Sequence, residues 1–329
     1  MAHSSQSDTR RKLLELFSEA NGNFISGQKI SEMLGCSRTA VWKHIEELRK
    51  EGFELEAVRR LGYRIVKTPD KVTANEIQLG LKTKTFGRHI HFEEEVTSTQ
   101  QIALKLAYEG AKEGTLVIAE QQTAGRGRMD RKWFSPKGTG IWMSLILRPP
   151  IPPQKAPQLT LLTAVAIAQA IQEVTNIVPD IKWPNDILIN GKKCVGILTE
   201  LQADPDRIHS VIIGMGINVN QTIEQFPEEI RAIATSLSIE KGERIQRAKL
   251  IQEILLRLER LYEQYLQYGF RPIKLLWEGY ATSIGKEIVA RTLTGTMKGI
   301  ALGITDEGVL MLEDEDKQIH YIHSADIQL

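Results

Sequence analysis

Two rhythms alternate along the chain. Apolar residues spaced three or four apart predict helices. They run as Ile30 and Leu34 over Gly27–Leu34, and as Val41, Ile45 and Leu48 over Arg38–Lys50. Helical spacing returns over Thr160–Val174 and over Arg247–Tyr268, the latter carrying Leu250, Ile254, Leu258, Leu261 and Tyr265 on one stripe. Short β-branched apolar runs bounded by Gly or Pro predict buried strands at Leu116–Ala119, Ile141–Leu147 and Ser210–Ile213. From Ser283 the pattern shifts to short alternating strands with glycine turns, over Lys286–Leu293, Thr296–Ile304, Val309–Leu312 and Ile319–Ile322, which predicts a small β-barrel. The expected class is α+β, in three domains spanning 1–68, 71–281 and 282–329. Thr68-Pro69-Asp70 reads as the first hinge, because Pro69 disfavours helix before it.

In the first domain Ser26 and Ser37 stand where helix N-caps belong, with Gly35-Cys36 as the turn between two helices. The second helix then presents Arg38, Thr39, Trp42 and Lys43 outward, the arrangement with which a helix-turn-helix reads a major groove. Phe53–Val58 and Tyr63–Val66 alternate around Arg59-Arg60-Leu61-Gly62, a hairpin wing whose cationic tip suits backbone phosphates. Helix-turn-helix shapes also serve as protein docking modules. The wing and its paired arginines favour DNA.

Composition narrows the classes. The 329 residues are 42% apolar and 25% charged, ordinary for a globular protein, and the net charge of +1 gives no global field toward nucleic acid or membrane. Any such binding rests on a local patch; residues 1–68 hold twelve Lys and Arg against nine Asp and Glu. The two cysteines, Cys36 and Cys194, lie far apart without a CxxC pair, which argues against a disulfide scaffold or a zinc site. A polar N-terminus and the lack of a long apolar run point to a cytoplasmic protein with no membrane partner.

The densest chemistry lies in Gly125-Arg126-Gly127-Arg128-Met129-Asp130-Arg131-Lys132-Trp133. Glycine permits close backbone approach, and arginine forks match carboxylate and phosphate oxygens. Like charges so close together repel, so this loop is expected to be mobile when empty and to order around an anion, as a lid does. Alone, the segment also reads as a basic solvated turn. A second segment shifts the balance: Lys182-Trp183-Pro184-Asn185-Asp186, then the hairpin signal Asn190-Gly191, then a returning strand carrying Lys193 and Gly196. Gly214-Met215-Gly216-Ile217-Asn218-Val219-Asn220 repeats the glycine theme after another strand, as a ligand approach or a tight turn.

Together these motifs, with Val96-Thr97-Ser98-Thr99 and Gln121-Gln122 upstream, resemble the signature set of biotin–protein ligases. With the winged helix in front, the chain from about Arg11 to Leu329 is similar to the bifunctional biotin–protein ligase and biotin operon repressor family. That resemblance implies a central mixed α/β catalytic domain, its sheet flanked by helices, and an SH3-like barrel at the C-terminus. It implies that biotin's carboxylate attacks the α-phosphate of ATP, giving biotinyl-5′-AMP, and that a lysine of a biotin carboxyl carrier domain, as in acetyl-CoA carboxylase, then displaces AMP. Arg128 and Lys193 are the implied catalytic cations. Ser98, Thr99, Gln100 and Gln122 are implied for the polar ureido head of biotin. Gly125 and Gly196 would let backbone amides reach the ligand, and Trp133 would wall the adenylate. Arg126, Gly127, Gly214 and Asn218 complete the implied binding set, with Lys182, Asn185 and Asp186 in support. Asp186 would orient Lys182 or the nucleotide, or else cap its own turn.

Magnesium is implied as the companion of ATP, with no protein ligand assigned. Operator DNA and a homodimer formed with biotinyl-5′-AMP bound are the implied partners of the winged helix. The chain departs from the family at Gln100, where Asn is frequent, at Thr123, where Gln is, and at Met129, which is Arg in some members. The competing readings are a ligase whose first domain does not regulate transcription, a lipoate-type ligase, and a biotin sensor without catalysis.

Overall fold

The computed structural model describes residues 2–292 and 295–328, with side chains described from residue 9 onward. Leu293, the last residue of the expected strand Lys286–Leu293, lies outside the described residues, as do the outermost residues of the first and third expected domains. The chain divides into two compact units, one ending at Lys82 and one beginning at Thr83.

The first unit holds α1 (Ala2–Glu19), α2 (Gly27–Leu34), α3 (Arg38–Lys50), β1 (Glu54–Val58), β2 (Gly62–Lys67) and α4 (Ala74–Gln78). Ser26 and Ser37 cap α2 and α3 by accepting from the Lys29 and Ala40 amides at 3.1 and 3.2 Å, and Gly35 ends α2 in the left-handed region that glycine favours. Leu13, Leu14 and Phe17 of α1 close a core with Ile30, Val41, Ile45 and Leu48. The wing is fastened by a reciprocal pair of backbone bonds between Ile25 and Tyr63, both 2.9 Å. Gly62 permits that approach, since a Cβ there would sit 1.9 Å from the Ile25 oxygen. Because α4 packs on α1, the unit runs past the hinge expected at Thr68–Asp70.

In the second unit β3 (Ile90–Val96), β4 (Leu116–Gln122), β5 (Gly140–Leu147), β6 (Asp180–Lys182), β7 (Asp186–Ile189), β8 (Lys192–Ala203) and β9 (Ile208–Asn218) form one sheet, in the order β3-β4-β5-β9-β8-β7-β6. β3 and β4 are parallel, joined through α5 (Thr99–Tyr108), and the other neighbours are antiparallel. Alternate residues of a strand face opposite sides of the sheet, and here the two sides do different work. One is covered by α6 (Ala156–Thr175) and α9 (Arg247–Tyr268): Thr160 of α6 meets Thr199 at 2.7 Å, and Arg247 of α9 meets Glu120 at 2.8 Å. The other takes α5, whose Ala103 and Ala107 pack on Val117, Ile146 and Ile212. Two short helices, α7 (Glu228–Arg231) and α8 (Leu237–Lys241), precede α9, and α10 (Arg271–Tyr280) follows it. β10 (Glu287–Arg291), β11 (Thr296–Ile304), β12 (Leu310–Glu313), β13 (Ile319–Ile322) and β14 (Asp326–Gln328) make a five-stranded antiparallel sheet, ordered β13-β12-β11-β10-β14. Gly214–Asn218 corrects the turn reading: it is the continuation of β9 itself.

Two buried carboxylates brace this unit. Glu259 of α9 accepts from the backbone amides of Lys84, Thr85 and Phe86 at 2.7, 2.7 and 2.9 Å. Glu120 and Arg247 form an ion pair whose side chains are 6% and 1% exposed, and Arg247 also donates to the Gly140 carbonyl at 3.1 Å. Removing one partner strands a buried charge. Glu120→Ala is therefore expected to lower unfolding free energy by about 3–5 kcal/mol in a denaturant titration; a loss below about 1 kcal/mol, the level of an exposed pair, would contradict this role.

Candidate functional site

Above the α5 side of the sheet lies a cleft of about 850 Å³. Its floor consists of strand positions without side chains. Gly216 lies opposite Trp142 on β5 and Gly196 on β8, and Gly214 lies between Ser144 and Leu198. Trp133 rests on this bare patch. A Cβ at Gly216 would meet its Nε1 at 2.4 Å, and one at Gly196 would meet its Cζ3 at 2.8 Å. The glycine at 196 therefore makes room for an indole, where the sequence suggested room for a ligand's approach to backbone amides. Gly125 does the same for the loop's base, its missing Cβ lying 2.6 Å from the Trp133 carbonyl oxygen. Gly214 leaves space for Gln100, whose Oε1 would stand 2.6 Å from a Cβ. The Trp133 Nε1 hydrogen is buried with no acceptor among the described residues.

A chain of polar groups runs along one wall. Ser144 donates to Gln100 Oε1 at 3.0 Å and meets Thr99 Oγ1 at 2.9 Å. Gln122 Oε1 accepts from the Thr99 amide at 2.9 Å, and its Nε2 donates to Ser135 Oγ at 3.0 Å. Gln100 also donates to the Ile212 carbonyl at 3.2 Å, which fixes which end of its amide faces Ser144. Ser98, Thr99 and Gln100 are buried at the start of α5, so the strand-to-helix turn delivers them together. Ser144 and Ser135 were not among the expected residues. The signal for Ser144 was its isolation, one hydroxyl inside the apolar run Ile141–Leu147.

The cations converge from the opposite side. Lys193 pairs with Asp186 at 2.7 Å and sits 5.4 Å from the Trp133 ring centroid, within cation–π range. Arg128 donates to Asn185 Oδ1 at 3.1 Å and to Ser324 Oγ at 2.6 Å. Asn185 is itself oriented, since its Nδ2 donates to the Ile197 carbonyl at 2.9 Å. Burial presses the Arg128 pKa below the ordinary guanidinium value, and the Asp186 and Asp326 carboxylates pull it back up. Arg131 pairs with Asp326 at 2.9 Å. Burial pushes the Asp326 carboxyl up, yet the Arg131 hydrogen bond and the nearby Lys182 and Lys193 outweigh it and leave the group below the usual carboxylate range. Within the loop Met129 and Asp130 stand at positive φ, and Gly127 donates to the Arg131 carbonyl at 2.7 Å.

Asp186 is thus a counter-ion for Lys193, more than a cap for its own turn. Asn218 and Lys182 line the cleft, as do Arg126 and Gly127. Trp183 faces elsewhere: buried, it donates to the Gly308 carbonyl at 3.1 Å and fastens the C-terminal sheet. Among the described residues no three His, Cys, Asp or Glu side chains gather where they could hold a metal ion. In the first unit the expected DNA-facing residues Arg38, Thr39, Trp42, Lys43, Arg59 and Arg60 are all exposed, with Trp42 at 53% an unusual surface indole. Arg60, at φ 73°, shapes the wing tip.

The floor can be probed directly. Gly216→Ala is expected to dislodge the Trp133 indole, altering tryptophan emission at a stability loss of about 1–3 kcal/mol. The emission difference should vanish in a Trp133→Phe background; one that persists there would contradict the packing.

Three family profiles match the chain: an HTH domain over residues 9–64, the biotin/lipoate A/B protein ligase family over 93–218, and the biotin protein ligase C-terminal domain over 283–329. The bifunctional ligase/repressor BirA of Bacillus subtilis is 62% identical over 324 residues, which is 98% of this chain and 99% of that protein. BirA of Escherichia coli is 32% identical over 304 residues, 92% of each chain. A biotin protein ligase from Aquifex aeolicus, solved in complex with biotin and ATP, superposes with a TM-score of 0.64 at 30% identity, covering 73% of this chain and 99% of that one. Likeness of this extent, reaching all three segments in order, places the chain in the family of bifunctional biotin–protein ligases and repressors.

Proposed function

We propose that this protein activates biotin with ATP and transfers it to an acceptor lysine, and that its first unit represses transcription by binding operator DNA in response to biotin. The observation that carries the reading is the meeting, in one cleft, of a neutral polar wall with Arg128 and Lys193. The Ser98–Gln122 wall offers donors and acceptors suited to a ureido ring. The cations face the place where a carboxylate and a triphosphate must come together.

In the first step a carboxylate oxygen of biotin attacks the α-phosphorus, and pyrophosphate leaves with the electrons of the broken P–O bond. Arg128 and Lys193 offset the repulsion between the two anions and the charge that grows on the phosphoryl oxygens. Their resting partners are exchangeable: Arg128 is held by neutral oxygens, and Lys193 by a carboxylate close enough to steady it. Asn185 keeps Arg128 aimed into the cleft. Trp133 shields the mixed anhydride from water. In the second step an acceptor lysine amine attacks the acyl carbon and AMP leaves. Among the described residues no cluster of His, Cys, Asp or Glu assembles a site for magnesium, and no step is assigned to the ion. The acceptor is a biotin carboxyl carrier domain of acetyl-CoA carboxylase or a related carboxylase.

Biotinyl-5′-AMP that meets no acceptor keeps the loop closed and favours a homodimer, whose two winged helices read two half-sites. Arg38, Thr39, Trp42 and Lys43 face the groove, and Arg59 and Arg60 the phosphates. ATP as substrate and two free thiols suit the cytoplasm. No described helix is long and apolar enough to cross a membrane.

Two experiments test this reading. Arg128→Ala and Lys193→Ala should each slow biotinyl-5′-AMP formation by about 10²–10³-fold, as loss of a preorganised charge does, with thermal stability little changed; turnover within about threefold of the parent would remove these residues from the chemistry. Arg59→Ala with Arg60→Ala should weaken operator binding across sequences and lower its log–log salt slope by about one unit for each phosphate no longer neutralised. An unchanged slope would leave the chain a ligase whose first unit does not regulate through its wing.

A further inference from the structure

One hydroxyl of the polar wall, Ser144 on β5, has no part in the reaction above. The hydrogens around it can be counted. Gln100 spends its amide N–H groups on the backbone, donating to the Ile212 carbonyl at 3.2 Å and the Leu198 carbonyl at 3.4 Å, so its Oε1 faces Ser144 at 3.0 Å. Ser144 Oγ lies 2.9 Å from Thr99 Oγ1, which lies 3.2 Å from Gln122 Oε1. Serine and threonine carry one hydroxyl hydrogen each, so three oxygen–oxygen contacts share two hydrogens. One contact must do without. Were it Ser144 with Gln100, the buried Gln100 Oε1 would lose the donor it has, which is costly. Were it Ser144 with Thr99, lone pairs would meet at the shortest of the three distances. Thr99 with Gln122 is the longest, and Gln122 Oε1 already accepts from the Thr99 amide at 2.9 Å. The Ser144 hydrogen therefore goes to Gln100, and the Thr99 hydrogen to Ser144.

We propose that Ser144, itself held by Gln100, is a positioning residue: it turns the Thr99 hydrogen into the sheet and leaves Thr99 Oγ1 and Gln122 Oε1 as a bare acceptor pair. Thr99 and Gln122 both line the cleft. Two acceptors 3.2 Å apart with no hydrogen between them call for a donor from outside. An N–H of a cyclic urea meets that need, and a ring oxygen in its place is repelled. Ser144 thus sets what the wall accepts by acting through Thr99. The order of the hydrogens follows from Gln100 and its backbone partners on β8 and β9, whereas the identity of the donor as biotin rests on the ligase reading.

The test uses the full chain. In neutron diffraction from deuterated crystals grown with biotin, the deuteron on Thr99 Oγ1 should point to Ser144, and that on Ser144 to Gln100 Oε1. A Thr99 deuteron aimed at Gln122, or a Ser144 deuteron aimed at Thr99, would overturn the proposal, and this arm needs no variant to fold. Kinetics supply the second arm, comparing biotin with the cyclic carbamates in which either ureido N–H becomes a ring oxygen. In Ser144→Ala the Thr99 hydrogen is free to turn toward Gln122 or the ligand. The KM for biotin in biotinyl-5′-AMP formation should rise about five- to tenfold with kcat little changed, the scale of one hydrogen bond. The preference for biotin over the carbamates should narrow by about as much. A side chain that only fills the sheet would weaken both ligands alike, so an unmoved preference in the folded variant would contradict the role. If the parent protein formed no biotinyl-5′-AMP while the deuterons stood in the expected order, the ligase reading would fall and the hydroxyl order would stand.

Discussion

Crowded cations must be neutralised before they can be useful, and this constraint shapes the second unit. Lys182, Lys193, Arg126, Arg128 and Arg131 all border one cleft. Left alone, they would repel one another and splay the loop. The chain counters with Asp186 on Lys193, Asp326 on Arg131, and neutral oxygens from Asn185 and Ser324 on Arg128. These partners differ in tenacity. The Asp186 side chain is 12% exposed and that of Asp326 43%, so the first holds its lysine in a less solvated setting and the second is screened. The Lys193 pairing is therefore the less screened of the two.

The sheet makes such placement possible. Its α6 and α9 side is conventional packing, braced by the Glu120–Arg247 pair. On its other side β8 and β9 give up side chains at Gly196, Gly214 and Gly216, and the vacated space admits Trp133 and Gln100. Strand glycines usually weaken a sheet. Here both strands are long, with neighbours on each side, and the weakening is confined to the patch that must receive other groups. A rigid floor, a hydrogen-bonded wall and a lighter lid follow from three glycines, one serine and one loop.

How much of this was legible in the sequence varied with the range of the interaction. Helices α2, α3 and α9 ran between the residues their periodicity and capping residues indicated, because those signals are local. Helix α1 was not singled out, although Leu13, Leu14, Leu16 and Phe17 carry its apolar face, because the polar residues before them dominate the segment. Gly214–Asn218 looked like a turn because glycine is read as a breaker, whereas pairing with β5 and β8 on both sides holds it extended. Arg128, Lys193 and the Ser98–Gln100 turn were visible as motifs. Ser144 showed only as a lone hydroxyl in an apolar run, and Ser324 and Asp326 not at all, since each bonds to a partner some 195 residues away and no local pattern encodes such an interaction.

On the proposed reading, the neutral wall of Gln100, Ser144, Thr99 and Gln122 and the facing cations form the site that joins a carboxylate to a nucleotide. Isotope exchange between pyrophosphate and ATP tests that claim most directly, since it reads the first step alone, without acceptor or DNA. Exchange that requires biotin, is not supported by lipoate, and proceeds with the purified chain is the expected result. Exchange that ignores biotin, or none under any condition that keeps the protein folded, would contradict it.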